Sequence, residues 1–237
     1  MEKRFTTILL LFLRLLLFAC FQGLIALFFV ILNKQNAWNE SQGFWIISGL
    51  LTNIVTFWIL KSKFKRDGKG YFENFRFIKK DWWKDLVIIL IVFLISYPIS
   101  MFPNTILANW LFGSEQVTFH LFFRPIPLWI IVIGFFWAIT QGLVELPYYF
   151  AYLMPKITQK IGNSWKAWFI ASFLLALQHI TLPFIFDTKF MVWRFGMFLL
   201  FAFFVGLVLK LRPRLFPYLM IIHALMDIGA VAVYFTL

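Results

Sequence analysis

Of 237 residues, 62% belong to the hydrophobic set, 33 are Phe, and the mean hydropathy is +0.85. No water-soluble domain of this length has an interior large enough for that much apolar surface, so the composition predicts an all-α, polytopic helix bundle in a membrane. The formal charge of +12 would elsewhere point to nucleic acid, but the basic residues fall in short gaps between apolar runs; that pattern orients helices in an anionic bilayer, so lipid and not nucleic acid is the partner it implies.

Seven spans are expected in one integral membrane domain, 1–237: 6–32, 43–61, 84–105, 127–155, 165–184, 190–210 and 214–236. The first holds the single cysteine, Cys20, which excludes an intrachain disulfide and a cysteine metal cluster. Leu17-Phe18-Ala19-Cys20 loosely resembles a lipoprotein signal, yet Arg14 interrupts the apolar run and the run continues to Leu32, as in an uncleaved membrane helix. Arg14 and Asn53 are expected to snorkel or to bond between helices.

Lys3 and Arg4 precede the first span, and Lys61, Lys63, Lys65, Arg66, Lys69, Arg76, Lys79, Lys80 and Lys84 crowd the gap after the second. Lys156, Lys160 and Lys166 follow the fourth span; Lys210, Arg212 and Arg214 follow the sixth. The intervening gaps hold Lys34, Arg124 and Lys189, one each. This alternation predicts a cytoplasmic amino terminus and an external carboxyl terminus in the cell membrane. Phe72, Phe75, Phe77, Trp82 and Trp83 sit among the lysines of 62–83, which fits either an amphipathic stretch on the inner leaflet or a solvated loop with interfacial anchors.

The late spans carry ionisable groups that are costly in hydrocarbon: Glu145, His179, His223 and Asp227. Counted from the basic end of each span, these residues lie roughly 14 to 21 Å deep, near the middle of a core about 30 Å thick. His223 and Asp227, four apart, share a helix face. Pro147 lacks an N–H, so it frees the carbonyl of Leu143 and bends the fourth span beside Glu145. Gln141 and Gln178 are expected to hydrate the resulting cavity, while His120 is expected at the surface. One buried histidine is often only a bond between helices; the matched depth of all four residues is what points to a site.

A carboxylate beside a histidine can take a proton from water and return it to a leaving amine, and a histidine held by an Asp can donate to an oxyanion. Those are the parts of an amide hydrolase that uses water directly, with no cofactor. The same four residues, as N and O ligands, would also suit zinc.

Three segments carry a family resemblance: Glu145-Leu-Pro-Tyr-Tyr-Phe-Ala-Tyr-Leu-Met-Pro155, Leu175-Ala-Leu-Gln-His179 and His223-Ala-Leu-Met-Asp227. In order and spacing they are similar to the motifs of the CAAX-protease and bacteriocin-processing family of intramembrane endopeptidases. The resemblance covers about 127–231. It implies that Glu145 and His179 activate water, that His223 and Asp227 form the oxyanion site, and that 127–237 is the catalytic core behind an amino-terminal part, 1–126. The substrate it implies is a membrane-associated peptide or protein, cut in bacteriocin or signal-peptide maturation or in self-immunity. The chain departs from the motifs at Leu146, where a second Glu is usual, at Phe150, where an Arg is usual, and at Leu175, where a Phe is usual. Those departures leave open a non-catalytic relative that binds and regulates a membrane partner such as a sensor kinase or exporter. No inverted repeat favours a transporter.

Overall fold

Lipid offers no partner for an open backbone group, so the apolar runs bond internally as helices. In the computed structural model, residues 2–237 are described, with side chains from Leu9 onward, so Lys3 and Arg4 lie outside the described side chains. The helices are α1 (Glu2–Ile31), α2 (Ala37–Gln42), α3 (Trp45–Arg66), α4 (Trp82–Phe112), α5 (Glu115–Phe122), α6 (Leu128–Leu146), α7 (Met154–Ile161), α8 (Ser164–Leu177), α9 (Thr188–Leu211) and α10 (Phe216–Ala232). Among the described residues the β-type pairing is one isolated bridge between Thr181 and Phe184.

Six stretches among the described residues are long and apolar enough to cross a membrane: Leu9–Ile31, Trp45–Arg66, Trp82–Phe112, Leu128–Ile161, Thr188–Leu211 and Pro213–Thr236. This is an all-α membrane bundle. The remaining expected span, 165–184, consists of the 14-residue α8, a single 3-10 turn over Gln178–Ile180, and irregular chain. Pro183 disfavours a helical residue before it and supplies no N–H, which weakens a helix here but does not by itself stop one, since α4 runs through Pro98 and Pro103. The irregular segment is instead pinned by Gln22 of α1, whose amide bonds both the N–H and the C=O of Phe184 at 2.7 Å. Helix α4 runs past the expected end at 105 to Phe112, because the chain stays apolar until Gly113 adopts φ 77°.

The heavily basic gaps meet at one end of the bundle. There Lys156 pairs with Asp67 at 2.8 Å, Lys210 bonds Ser164 at 2.6 Å, and Arg214 pairs with the buried Asp85 at 2.7 Å. Arg124 bonds Asn39 at 2.9 Å at the other end. Three apolar clusters fill the interior, the smallest around Ala108, Ile185, Phe190 and Trp193; the two larger ones lie at opposite ends. One, around Leu60, Tyr148, Phe150 and Leu215, lies toward the basic end; the other, around Phe18, Trp45, Trp137 and Tyr234, lies toward the far end. Between them runs a buried polar layer.

Candidate functional site

The fourth span breaks where the sequence places Pro147: α6 ends at Leu146, a π-helical stretch covers Pro147–Leu153, and α7 resumes the helix. Such π turns inside α-helices cluster at functional sites. The carbonyl of Leu143 is left without its helical donor, as expected, and the hydroxyl of Tyr71 donates to it. Tyr71 comes from a 3-10 turn, Tyr71–Phe75, in the segment read from sequence only as an inner-leaflet stretch or solvated loop. Its neighbours Phe72, Trp82 and Trp83 are exposed as interfacial anchors should be, but Tyr71 is buried, and burial pushes its phenol above the ordinary range against the opposing pull of Arg14.

Glu145 is 1% exposed and sits at the centre of the polar layer. Its Oε2 is 3.1 Å from His223 Nε2, and its Oε1 is 3.9 Å from His179 Nε2. His223 Nε2 is also 3.2 Å from Asp227 Oδ2, one turn along α10. All four expected residues therefore converge. The imidazole is near both carboxylates but aligned with neither, so Asp227 Oδ2 lacks a hydrogen-bond donor. Gly142 makes the close approach possible. A Cβ there would lie 2.6 Å from the Met220 carbonyl and 2.8 Å from Ala224 Cβ, so only glycine lets α6 and α10 come close enough for Glu145 to meet His223.

His179 caps the short α8. Its Nδ1 lies 2.9 Å from the Leu175 carbonyl, a group that can only accept. Nδ1 therefore carries the proton, and in the neutral ring Nε2 is left as an acceptor facing Glu145. The ring stacks on Phe198 of α9, with centroids 3.7 Å apart.

Arg14 is fully buried, not snorkelled, and it bonds between helices: Nε to Gln178 Oε1 at 2.8 Å, Nη1 to Asn53 Oδ1 at 3.1 Å, and Nη2 to Gln141 Oε1 at 3.0 Å. Guanidinium has donors only, so both glutamines must turn their oxygens toward it and their amide nitrogens away. Those nitrogens donate to Glu145 Oε1. Gln141 and Gln178, expected to hydrate a cavity, instead link the cation to the carboxylate, and Tyr149 adds a bond to Gln178 Oε1 at 3.0 Å. Leu146 and Phe150 are buried in the neighbouring apolar cluster.

The four residues line a cavity of about 630 Å³. His120 is exposed, as expected. Among the described residues no group of three or more His, Cys, Asp or Glu has the arrangement of a metal site. Sequence reasoning missed Arg194, a cation inside α9 that is 4% exposed and lines the same cavity; its signal was a charge within the first two turns of an apolar span. It also missed Tyr71 and the role of Arg14. Compared with protein-family models, with curated proteins and with solved structures, the chain has no match, so the geometry of these residues carries the functional argument.

Proposed function

We propose that this chain is a membrane-embedded, metal-independent endopeptidase of the CAAX-protease and bacteriocin-processing family that cuts a membrane-associated peptide or protein. The observation that carries this reading is the acceptor Nε2 of His179 facing the Glu145 carboxylate across 3.9 Å, on the wall of a cavity large enough for a peptide. A water bound in the cavity beside this pair gives a proton to His179 as its oxygen adds to the substrate carbonyl. The carbonyl π electrons move onto oxygen, where His223 donates a hydrogen bond. Collapse of the tetrahedral species breaks the C–N bond, and His179 returns its proton to the leaving amine. An ionised Asp227 would repel the oxyanion unless His223 is protonated; with that proton, Arg14 and His223 balance Glu145 and Asp227, and the buried cluster is neutral.

The reading includes seven crossings of the cell membrane, with 165–184 as the fifth, and a cytoplasmic amino terminus. The meeting of the basic gaps at one end supports that orientation. Maturation of a bacteriocin or signal peptide, or self-immunity, is the role proposed with it.

A second reading is favoured by one observation: Glu145 Oε1 already accepts from two amides, as a structural carboxylate does. In that reading the chain binds a membrane partner such as a sensor kinase or exporter and regulates it. Comparative peptidomics of membranes from wild-type and Glu145→Gln cells separates the two. A product lost only in the variant supports the endopeptidase. A phenotype abolished by deletion but unchanged in Glu145→Ala and His179→Ala supports the regulator.

A further inference from the structure

We infer that Arg194 is an anion subsite, its guanidinium binding a carboxylate of the peptide that occupies the cavity. This rests on the endopeptidase reading and adds to it the chemistry of the substrate. Arg194 has five N–H donors and two acceptors within reach: the Leu182 carbonyl at 2.7 Å from Nη2 and the Met197 thioether at 3.5 Å from Nη1. Its Nε has no partner. Among the described residues no carboxylate lies within ion-pair distance of it. The rings of Phe122, Trp193 and Phe198 surround the charge at 4.4, 5.5 and 5.0 Å. Those rings and the Leu182 bond hold the side chain in place without neutralising it, and a buried charge without a counter-ion is expensive.

Its position along the cavity gives that cost a use. The exposed rim is formed by Glu115 and Gln116 of α5, and the floor by Glu145 and His223. Arg194 precedes Phe198 by one turn on α9, on the rim side of the ring that stacks on His179. Guanidinium and imidazole thus lie on one shared aromatic neighbour, at most about 9 Å apart, a distance spanned by two or three extended residues. A peptide whose scissile carbonyl sits at Glu145 and His179 brings a carboxylate within three residues of that bond onto Arg194. A planar carboxylate fits a single guanidinium through paired N–H donors. Two sources share this chemistry, an acidic side chain and a carboxyl terminus.

The test uses the full chain with Glu145→Gln in detergent, so that binding is measured without turnover. Four probes are compared by titration calorimetry: N-acetyl-trileucine with a free carboxyl group, its C-terminal amide, the same amide with aspartate as the last residue, and inorganic phosphate. At least one carboxylate probe should bind about tenfold or more tightly than the neutral amide, the size of one desolvated charge-assisted contact; which of the two does so identifies the source. Adding Arg194→Met should bring the ratio within twofold, and Arg194→Lys should keep part of it. If the methionine variant does not fold, the lysine variant and the acid-to-amide ratio decide. Equal binding of acid and amide, a preference that survives Arg194→Met, phosphate as tight as the acid, or no binding of any probe overturns the subsite. Wild-type cleavage of the tightest peptide is scored separately. Preference without cleavage sinks the endopeptidase and keeps the subsite, whereas cleavage indifferent to the carboxylate does the reverse.

Discussion

Arg14 and Glu145 stand 3.9 Å apart at complete burial, and the amides of Gln141 and Gln178 bond both of them. The cation is thus coupled to the carboxylate by two dipoles aligned in the same sense. Removing the cation strands a buried charge and two half-satisfied amides. Arg14→Met should cost about 3–5 kcal/mol of stability, read as a large drop in thermal unfolding temperature in detergent. Combining Arg14→Met with Glu145→Gln should recover part of the loss, because the orphaned charge goes too. Arg14→Lys should recover little, since an ammonium cannot reproduce the three-way fork to Gln178, Asn53 and Gln141.

Tyr71→Phe removes the donor to the Leu143 carbonyl and leaves that acceptor buried beside the π turn. A loss of about 1–3 kcal/mol is expected, again by thermal unfolding. The pH dependence has a definite sign. Burial raises the folded phenol above its ordinary value of 10.0, so the unfolded chain releases the proton first. The contribution of Tyr71 is then complete below pH 10 and is lost as the pH rises beyond it, and Tyr71→Phe should show a shallower alkaline decline than wild type.

Gly142→Val inserts a branched side chain where α6 and α10 touch. The expected cost is about 1–3 kcal/mol from overpacking. The separation of Glu145 from His223 should abolish product formation in the peptidomic comparison while the protein still accumulates in the membrane. Gly229, which has open space around it, serves as the control: Gly229→Ala should leave both readouts unchanged.

Asp227→Asn removes one of the two carboxylates that compete for His223 Nε2. The remaining N–H then aligns with Glu145, and product formation should change by less than about tenfold, or 1.4 kcal/mol of barrier. Asp227→Leu, which cannot orient the imidazole, should cost about a hundredfold or more.

The sequence allowed the helical class, the grouping of the basic gaps and the convergence of Glu145, His179, His223 and Asp227 to be read, because hydropathy and helix rise convert position directly into depth. Span 165–184 was harder: its apolar composition suits a helix throughout, and the pairing of Gln22 with the backbone of Phe184, which holds the chain after His179 in an irregular path, is a contact that no local spacing reveals. Arg14 and Tyr71 were illegible in the same way. Their partners lie 39 to 164 residues distant, on Asn53, Leu143, Gln141 and Gln178, and no local spacing encodes contacts of that range. Arg194 was readable in principle as a charge among Phe and Trp, by the same reasoning that found the other four.

The rim of the cavity, at Glu115 and Gln116, belongs to the end of the bundle opposite Lys156, Lys210 and Arg214. The polar layer is therefore sided within the bundle: its cavity reaches exposed residues at one end, and the cluster of Tyr148, Phe150 and Leu215 fills the interior toward the other. An impermeant peptide or reagent would reach Glu145 from one face of a vesicle only.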